Sequence, residues 1–352
     1  MHVLLTCAGR RNYLVEYFRS AVGDEGAVLA ADSSPDAPAL QVADEAHLLP
    51  PVAHGSYVTA LADLCREGAV DLVVSLNDLE LPVLAPHRER FAAQGTVLGV
   101  SSPTVVAIAG DKWRTATFLA KSGIPTAKTY LRVADAEAAL SGGEISFPLV
   151  VKPRWGTASI AVDVVHAVDE LRVTARLTRE RLATTILAGS ADLDPDHPVL
   201  VQEALTGVEH GLDVVNDLDG RYVATLARRK LTMRAGETDR AETVVDARLT
   251  GLGERIGRAL GHVGLLDCDV FLDGDGVRVL ELNARFGGGY PFSHAAGADV
   301  PAAMVAWTAG DPIDASWLQV RAGVRSAKAD GLVVLDPARI TVRGTSGPLR
   351  GL

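Results

Sequence analysis

Apolar runs alternate with helical repeats along the first hundred residues. Strand-like runs of almost continuous apolar character occupy residues 2–7, 27–32, 71–76 and 96–101. Between them, apolar residues recur at helical spacing over 13–18 and over 57–65, and Ser56 is the expected N-cap of the second stretch. Because strands buried on both faces are apolar throughout, we predict a parallel sheet covered by helices, in a small α/β domain.

From residue 109 onwards the pattern changes to locally paired strands. Residues 109–125 predict one helix, ended by Gly123 and Pro125. Further strands are predicted at 147–155, 158–165 and 198–205, hairpins at 212–231 and 267–291, and helices at 168–187 and 251–264. This order predicts an α+β body with mainly antiparallel sheets after the α/β domain.

The last hairpin carries polar side chains inside an apolar run. Strict alternation puts Val277, Val279, Glu281, Asn283 and Arg285 on one face of its second strand, just before three glycines, and Asp267, Asp269 and Phe271 on one face of its first. A connection of three or five residues would place Asp269 opposite Glu281. A connection of four residues would place them on opposite faces.

Two opposed carboxylates about 5 Å apart repel each other unless a positive group lies between them. With the amide oxygen of Asn283, Asp269 and Glu281 form an all-oxygen set that suits Mg²⁺ better than zinc. Arg285 follows at a position from which it can bind a phosphate oxygen. The alternative is an exposed face with solvated charges.

Three further stretches are candidate anion or nucleotide contacts. Lys152 ends an apolar strand before a loop of small residues, which suits phosphate binding through backbone N–H groups but also an ordinary hairpin. Glu203 and Glu209 flank Gly207 in a hinge whose backbone can bind an adenine edge and whose carboxylate can bind a ribose diol. Two ordinary surface glutamates explain the same pattern equally well. The basic cluster of Arg228, Arg229, Lys230 and Arg234 leads into "RAGETDRAET". It is interpreted as an anion pocket, as a mobile loop that closes over an anion, or as a solvated strand end.

The N-terminal turn "TCAGRR" lacks the glycines of a dinucleotide site, since only Gly9 is present. It can still receive a substrate carboxylate, aided by Arg10 or Arg11.

Composition narrows the function classes. A net charge of −10 and a pI near 5.4 exclude a broad basic surface for nucleic acid. Three scattered cysteines do not make a disulfide framework or a cysteine-based metal site, and no window approaches the roughly 18 apolar residues of a membrane span. We therefore expect a cytoplasmic protein without membrane or nucleic-acid partners.

The order of these stretches resembles the ATP-grasp superfamily, specifically ligases similar to the carbamoyl-phosphate synthetase large subunit, here in a short free-standing form. The segments "LELNARFGGGYPFSHAAGADVP" and "GDKWRTATFLAKSGIPTAKTY" carry the resemblance most clearly. It implies a Rossmann-like pre-ATP-grasp domain over 1–105, an ATP-grasp domain over 106–310 with a mobile lid over 127–203, and C-terminal strands over 311–352 packed on the ATP-grasp body.

The resemblance also implies roles for individual residues. Lys112 and Lys152 would contact ATP phosphates, Glu203 with the backbone of Ala204 and Leu205 would bind adenine, and Glu209, or alternatively Asp213, would hold the ribose. Asp269, Glu281 and Asn283 would ligate two Mg²⁺ ions, for which Mn²⁺ can substitute. Arg285 and Arg234 would be catalytic, and the glycines after Arg285 would let the backbone approach the second substrate. The loop after Lys152 departs from the family pattern at Thr157, Ile160 and Ala161, where glycine or serine is usual.

The implied activity is that of an ADP-forming ligase that joins the carboxylate of an amino acid or small acid to an amine through an acyl phosphate. The alternatives are a phosphotransferase on the same fold and a non-catalytic nucleotide-binding regulatory protein. The expected partners are small-molecule carboxylates and amines, and a homodimer is considered as the assembly.

Overall fold

The computed structural model describes residues 1–156, 160–185, 189, 193–274 and 276–343. In these residues the strands form three sheets: one parallel sheet and two antiparallel ones. The predicted fold class, an α/β domain followed by an α+β body, is confirmed.

The N-terminal part alternates strands and helices. Its elements are β1 (His2–Thr6), α1 (Asn12–Val22), β2 (Ala27–Asp32), α2 (Pro38–Val42), β3 (Glu45–Leu48), α3 (Tyr57–Glu67), β4 (Leu72–Ser75), α4 (Leu81–Leu84), α5 (Arg88–Ala92), β5 (Val97–Leu98) and α6 (Pro103–Ala109). Ser56 precedes α3 but does not cap it with its side chain, because its Oγ is hydrogen-bonded to Nδ1 of His54 at 2.7 Å.

The middle part supplies a four-stranded antiparallel sheet in the order β6-β9-β7-β8. Its elements are α7 (Lys112–Lys121), β6 (Thr129–Tyr130), α8 (Val133–Ser141), β7 (Leu149–Pro153), β8 (Asp163–Val165), α9 (Val168–Leu182) and β9 (Val199–Glu203). This sheet falls within the range expected for a lid, and its mobility stays a prediction.

The C-terminal part forms the six-stranded antiparallel sheet. Its elements are β10 (Val208–Asn216), β11 (Tyr222–Arg234), β12 (Glu237–Val244), α10 (Ala247–Leu260), β13 (Gly264–Asp273), β14 (Gly276–Asn283), α11 (Tyr290–Ala295), α12 (Val300–Ala309), β15 (Arg325–Ala327) and β16 (Ile340–Val342). The order is β14-β13-β10-β11-β12-β15, and the helix α10 packs on β10 and β11.

The parallel sheet has the order β16-β3-β2-β1-β4-β5. The inner strand β1 is buried on both faces, with Leu4 and Leu5 at 0% exposure, which explains its continuous apolar run. The last strand corrects the expectation for the tail. Of the two tail strands in the described residues, β15 joins the antiparallel body beside β12, whereas β16 extends the parallel sheet beside β3.

Two predicted helices are shifted by capping residues. The helix expected over 109–125 is α7, which begins at Lys112 because Asp111 has an extended backbone and its Oδ1 accepts from the amides of Trp113 and Arg114. Likewise α10 begins at Ala247, earlier than residue 251, because Asp246 caps it, and it ends before Gly261, whose φ of 63° is left-handed.

The segment "RAGETDRAET" is not a mobile loop over its whole length. Residues 235 and 236 form a tight turn with positive φ, and the chain returns as β12. This strand pairs with β11 from Ala227↔Val244 to Arg234↔Glu237.

No helix in the described ranges is long and apolar enough to cross a bilayer.

Candidate active site

The hairpin of β13 and β14 places Asp269 directly opposite Glu281, although not for the reason expected. Asp273 pairs with Gly276, so two residues connect the strands, which is neither of the predicted odd lengths. Pairing proceeds regularly to Val270↔Val279 and then shifts by one residue to Asp269↔Glu281. A β-bulge at Leu280, and not the length of the connection, therefore brings Asp269 opposite Glu281.

The bulge also corrects the predicted faces of β14. Val279 lies in the core beside Val270, at 0% exposure, and does not share a face with Glu281. On the other face, Arg278 lies opposite Phe271 and Asn283 lies opposite Asp267. The extra residue therefore permits apolar packing near the tip and a polar surface near the base of the same strand.

This polar surface forms a wall between two adjoining cavities. The larger has a volume of about 560 Å³ and the smaller about 200 Å³. Both are lined by Lys230, Met233, Gly236, Asp269 and Glu281.

The larger cavity is an apolar slot with charged groups at its margins. Its apolar lining includes Val150 and Val164 from the four-stranded sheet, Phe271 and Leu280 from the six-stranded sheet, and Val162 and Leu205 next to strands of the four-stranded sheet. Its polar lining includes the predicted nucleotide residues Lys112, Lys152, Glu203 and Glu209, and Ala204 also borders it. The structure therefore brings all six predicted nucleotide contacts to one cavity.

Lys152 is buried in this slot, and no acidic side chain of the described residues forms an ion pair with it. It is 5% exposed, and no carboxylate of the described residues lies within 4.0 Å of its Nζ. Burial and the nearby Lys112 lower its pKa to about 8, against the opposing effect of Glu281 and Asp269. Because a buried cation without a partner is costly, Lys152 is poised for an anionic ligand.

Lys112 is fixed by two contacts around the start of α7. Its Nζ donates to the carbonyl oxygen of Gly156 at 2.6 Å, and its amide donates to the carbonyl oxygen of Arg154. The Arg154 guanidinium in turn holds Asp111 in a bidentate pair at 2.8 and 2.9 Å. Sequence reasoning missed this pair, although an aspartate before a helical run is a recognisable capping signal.

The loop after Lys152 is only partly covered by the structure. Thr157, one of the departures from the family pattern, lies outside the described residues. Ile160 lines the larger cavity, and Ala161 has a φ of 54°.

Glu203 contacts Arg278, a residue that sequence reasoning did not select. The guanidinium donates two hydrogen bonds to the Glu203 carboxylate, one of them at 2.9 Å, and the amide of Lys128 donates a third at 3.2 Å. The pair joins β9 of the four-stranded sheet to β14 of the six-stranded sheet at the edge of the slot.

Glu209 and Asp213 have different environments, which bears on the alternative ribose contacts. Glu209 lines the larger cavity and accepts from Nζ of Lys230 at 2.7 Å. Asp213 is 0% exposed, paired with Arg228 at 2.6 Å, and lines neither cavity. The geometry therefore favours Glu209 over Asp213 as the ribose contact, and the assignment stays a prediction.

Lys230 is the positive group that lies beside the opposed carboxylates. Its Nζ is 2.7 Å from Glu209 and 2.7 Å from Asp269. Burial alone would lower the pKa of Lys230, but Asp269 and Glu209 raise it above its ordinary value. Burial raises the pKa of Asp269 to about 7, with Asp267 and Glu281 acting in the same direction and Lys230 opposing them.

The donor chemistry of this wall fits a hard cation. Within the described chain, the side chains of Glu281 and Asn283 have no protein hydrogen-bond partner, and both line the smaller cavity. No cluster of three or more histidine, cysteine, aspartate or glutamate side chains in the described residues is arranged as a metal site. A Mg²⁺ ion here would therefore be held by two carboxylates and one amide oxygen of the protein, and its other oxygen ligands would come from bound phosphate groups or water.

Arg285 belongs to a ladder of buried ion pairs that reaches both domains. It donates to Asp78 of the N-terminal domain at 2.9 and 3.1 Å and to Asp267 at 3.1 Å. Asp267 also accepts from Arg228, which is paired with Asp213. These carboxylates outweigh burial and raise the pKa of Arg285.

Two of the three glycines after Arg285 are required by the close packing of this ladder. A methyl group at Gly287 would overlap the Asp267 carboxylate, and one at Gly289 would overlap the Arg228 guanidinium. Gly288 and Gly289 also line the smaller cavity, where the sequence predicted an approach to the second substrate.

Arg234 is not brought together with the other predicted residues. It is half-exposed, pairs with Asp330 at 2.6 Å and Asp239 at 2.9 Å, and lines neither cavity. Arg229 pairs with Glu242 outside both cavities, and Arg10 is exposed. Arg11, in contrast, lines the smaller cavity.

Two family models match the chain. Residues 3–98 match "PylC-like, N-terminal domain", and residues 196–331 match "ATP-grasp in the biosynthetic pathway with Ter operon". The carbamoyl phosphate synthase large chain of Mycobacterium tuberculosis is 27% identical over 286 residues, which cover 78% of this chain and 24% of that protein. The chain thus spans about a quarter of the length of this relative.

Solved structures share the fold at low identity. The biotin carboxylase of Campylobacter jejuni aligns with a TM-score of 0.71 and 17% identity, over 91% of this chain and 73% of that one. The biotin carboxylase domain of Hydrogenobacter thermophilus 2-oxoglutarate carboxylase, a dimer solved with MgADP and bicarbonate, has the same score and identity, over 92% and 73%. Together, the ATP-grasp family model over residues 196–331 and these likenesses show that the chain has the fold of the ATP-grasp carboxylases.

Proposed function

We propose that the protein is an ADP-forming carboxylate–amine ligase. One observation carries the proposal: a slot with a buried lysine that has no ion-pair partner in the described residues adjoins a smaller polar cavity across the wall of Asp269 and Glu281. A nucleotide in the first and a small substrate in the second would meet at that wall, which is the arrangement that phosphoryl transfer between them requires.

In this proposal the larger cavity holds ATP. Val150, Leu205 and Phe271 would cover the adenine ring, while Glu203 and the backbone of Ala204 and Leu205 would bind its edge. Glu209 would accept from the ribose hydroxyls, and Lys112 and Lys152 would neutralise the phosphates.

Asp269, Glu281 and Asn283 would hold Mg²⁺ at the phosphate end, with two ions as the working expectation and Mn²⁺ as a substitute. When bound, the ions supply positive charge that offsets the charge developing on the transferred phosphoryl group. The side chains of Glu281 and Asn283 support this assignment because they have no protein partner among the described residues to displace.

The chemistry would proceed in two steps at the wall. A substrate carboxylate oxygen would bond to the γ-phosphorus as the bond to ADP breaks. An amine nitrogen would then form the C–N bond, inorganic phosphate would leave, and the surplus amine proton would pass to phosphate or solvent. Arg285 lines the smaller cavity and is fixed by Asp78 and Asp267, which suits it to stabilise the acyl phosphate.

The role proposed for Arg234 has less support, because the structure pairs this residue with two aspartates away from the lining. It would require a rearrangement of the turn at residues 235 and 236 when substrate binds. Closure of the four-stranded sheet over the slot would exclude water from the acyl phosphate.

The activated carboxylate would belong to an amino acid or small acid, as the modest volume and mixed charge of the smaller cavity suggest. The decisive experiment measures phosphate release from ATP and Mg²⁺ across a panel of amino acids and amines, with products identified by mass. ADP and an amide formed together support the ligase. A stable phosphorylated product supports a phosphotransferase, MgATP binding without turnover supports a regulatory protein, and AMP with pyrophosphate contradicts ATP-grasp chemistry.

A further inference from the structure

Among the cations that line the smaller cavity, Arg11 is the one without an ion-pair partner in the described residues. Four cations line it, and three of them are ion-paired: Arg228 with Asp213, Lys230 with Asp269 and Arg285 with Asp78. Arg11 has no carboxylate within 4.0 Å in the described part of the chain, and its Nη1 donates to the carbonyl oxygen of Leu76. The guanidinium also interacts with the Tyr13 hydroxyl, and those of its five N–H groups that are engaged by neither Leu76 nor Tyr13 are available to a ligand.

A carboxylate oxygen with spare capacity lines the same cavity. Both hydrogen bonds from Arg285 end on Oδ2 of Asp78, while Oδ1 has no donor among the described residues. Glu237, from the start of β12, lines the cavity as well; its Oε2 accepts from Nζ of Lys328 at 2.7 Å, while its Oε1 has no donor among the described residues. The cavity therefore offers a free guanidinium together with acidic acceptors.

The parallel sheet explains why Arg11 and Asp78 belong to one site. The strands β1 and β4 pair side by side, with Thr6 opposite Ser75. Arg11 follows the carboxyl end of β1 and Asp78 follows that of β4. Because the carboxyl ends of neighbouring parallel strands meet at one edge, both loops reach the same crevice.

The loop that carries Asp78 is held by a buried carboxylate two residues later. Glu80 is 0% exposed and accepts hydrogen bonds from Thr6 Oγ1 at 2.8 Å and Ser75 Oγ at 2.6 Å, and from Tyr57 OH. This network fixes the loop to the two strands before any ligand binds, which favours preorganised recognition.

Arg11 lies apart from the groups proposed to bind the nucleotide. It lines only the smaller cavity, whereas Asp269 and Glu281 line both. The phosphoryl group would be transferred at the wall of Asp269 and Glu281, of which Arg11 is not a part.

We propose that Arg11 binds a second, unreactive carboxylate, and that the amine substrate is therefore an amino acid. Its ammonium group would donate to Oδ1 of Asp78 or to Glu237, and its carboxylate would accept a forked pair of hydrogen bonds from Arg11. The inference rests on the proposed ligase function for the identity of the reacting group. The recognition of a carboxylate by Arg11 can be tested by binding alone.

The experiment compares amino acids with their carboxamides, using the full chain, Mg²⁺ and a non-hydrolysable ATP analogue. Dissociation constants are measured for the wild type, Arg11→Ala, Arg11→Lys and Arg10→Ala. We expect Arg11→Ala to weaken binding of the preferred amino acid about 10- to 100-fold and to leave its carboxamide nearly unchanged. Arg11→Lys should be intermediate because it keeps the charge and loses the fork, and the exposed neighbour Arg10 should be dispensable.

Equal loss for amino acid and carboxamide in Arg11→Ala would indicate a purely structural role and overturn the inference, as would a wild type that binds no member of the panel or binds both forms equally. Turnover is scored separately. Selective amino-acid binding without ADP release in the presence of ATP would support the Arg11 inference and contradict the ligase function. If ADP release had the same rate in the wild type and in the Arg11 variants, the ligase function would be supported and the Arg11 inference contradicted.

Discussion

At the scale of single residues, the opposed pair Asp269 and Glu281 defines the boundary between two cavities. Glu281 is the better probe of the metal proposal, because Asp269 already has Lys230 as a partner. We expect Glu281→Gln to abolish phosphate release and to weaken Mg²⁺-dependent ATP binding, since the amide keeps the shape and loses the charge.

A matched control for this variant lies at the tip of the same hairpin. Asp273 is exposed, pairs with Thr206 and lines neither cavity, so Asp273→Asn should keep full turnover. Wild-type turnover in Glu281→Gln would remove the metal assignment.

Lys152 gives the site a pH dependence. Its pKa is lowered to about 8, so it begins to lose its proton within the working range, and phosphate binding favours the charged form. Affinity for MgATP should therefore fall about tenfold between pH 7 and pH 9. Titration calorimetry at several pH values measures this slope.

Arginine stays protonated over this range, so Lys152→Arg should abolish the slope, whatever its effect on affinity at pH 7. Lys121→Arg, at the exposed end of α7, should keep the slope. A flat wild-type profile would show that Lys152 does not titrate against the nucleotide.

The kinds of residue in the site could be predicted from the sequence, but their partners could not. Lys152, Glu203 and Glu209 were recognisable because polar residues interrupted apolar runs. Whether Glu209 or Asp213 faced the cavity depended on burial within a central strand, which neighbouring strands decide. Asp78 and Arg278 were missed because each acquires its role from a residue more than seventy positions away.

At the scale of elements, the bulge in β14 shows why a register cannot be read from a connection alone. In a regular hairpin, Asp269 can lie opposite Glu281 only if the connection between the strands has an odd number of residues. The connection has two residues, and the one residue inserted at the bulge brings the two carboxylates opposite each other. Local sequence carries little trace of that insertion, because Leu280 is as apolar as its neighbours. The fold class was predictable since it depends on periods repeated over many residues.

Gly289, just before α11, lies so close to Arg228 that a side chain at this position should destabilise the protein. Gly289→Ala would force a methyl group against a fully buried guanidinium, and we expect a loss of about 1–3 kcal/mol in the free energy of unfolding. Urea titration measures the change.

The control is Gly251→Ala in α10, where nothing lies within 4 Å of the added carbon. Alanine favours helix over glycine, so this variant should be neutral or stabilising by up to about 1 kcal/mol. If both variants behaved alike, the glycine at 289 would not be needed for the ion-pair ladder.

At the scale of the whole molecule, a buried histidine links folding to pH. His262 is 0% exposed, its Nε2 donates to the carbonyl oxygen of Val214 at 3.0 Å, and burial lowers its pKa from 6.5 to about 4. The unfolded chain therefore binds more protons below pH 6.5. Stability from this group is complete above pH 6.5 and is lost as pH falls towards 4, by about 1 kcal/mol at pH 5.5.

Denaturant titrations at pH 7.5 and 5.5 test this coupling. His262→Gln should reduce the difference between the two pH values, whereas His54→Gln, at an exposed turn, should leave it unchanged. An identical difference in the wild type and His262→Gln would contradict the assignment.

The pairing of β16 with β3 has a consequence for the newly synthesised chain. The two strands join residues 340–342 to residues 46–48, across nearly 300 intervening positions. At about 5–20 residues per second, a ribosome needs roughly 15 to 60 s to make the intervening segment. During that time the outer edge of β3 has unpaired backbone groups that another nascent chain can reach. The parallel sheet, whose first strands are synthesised earliest, is therefore completed only when β16 has been made.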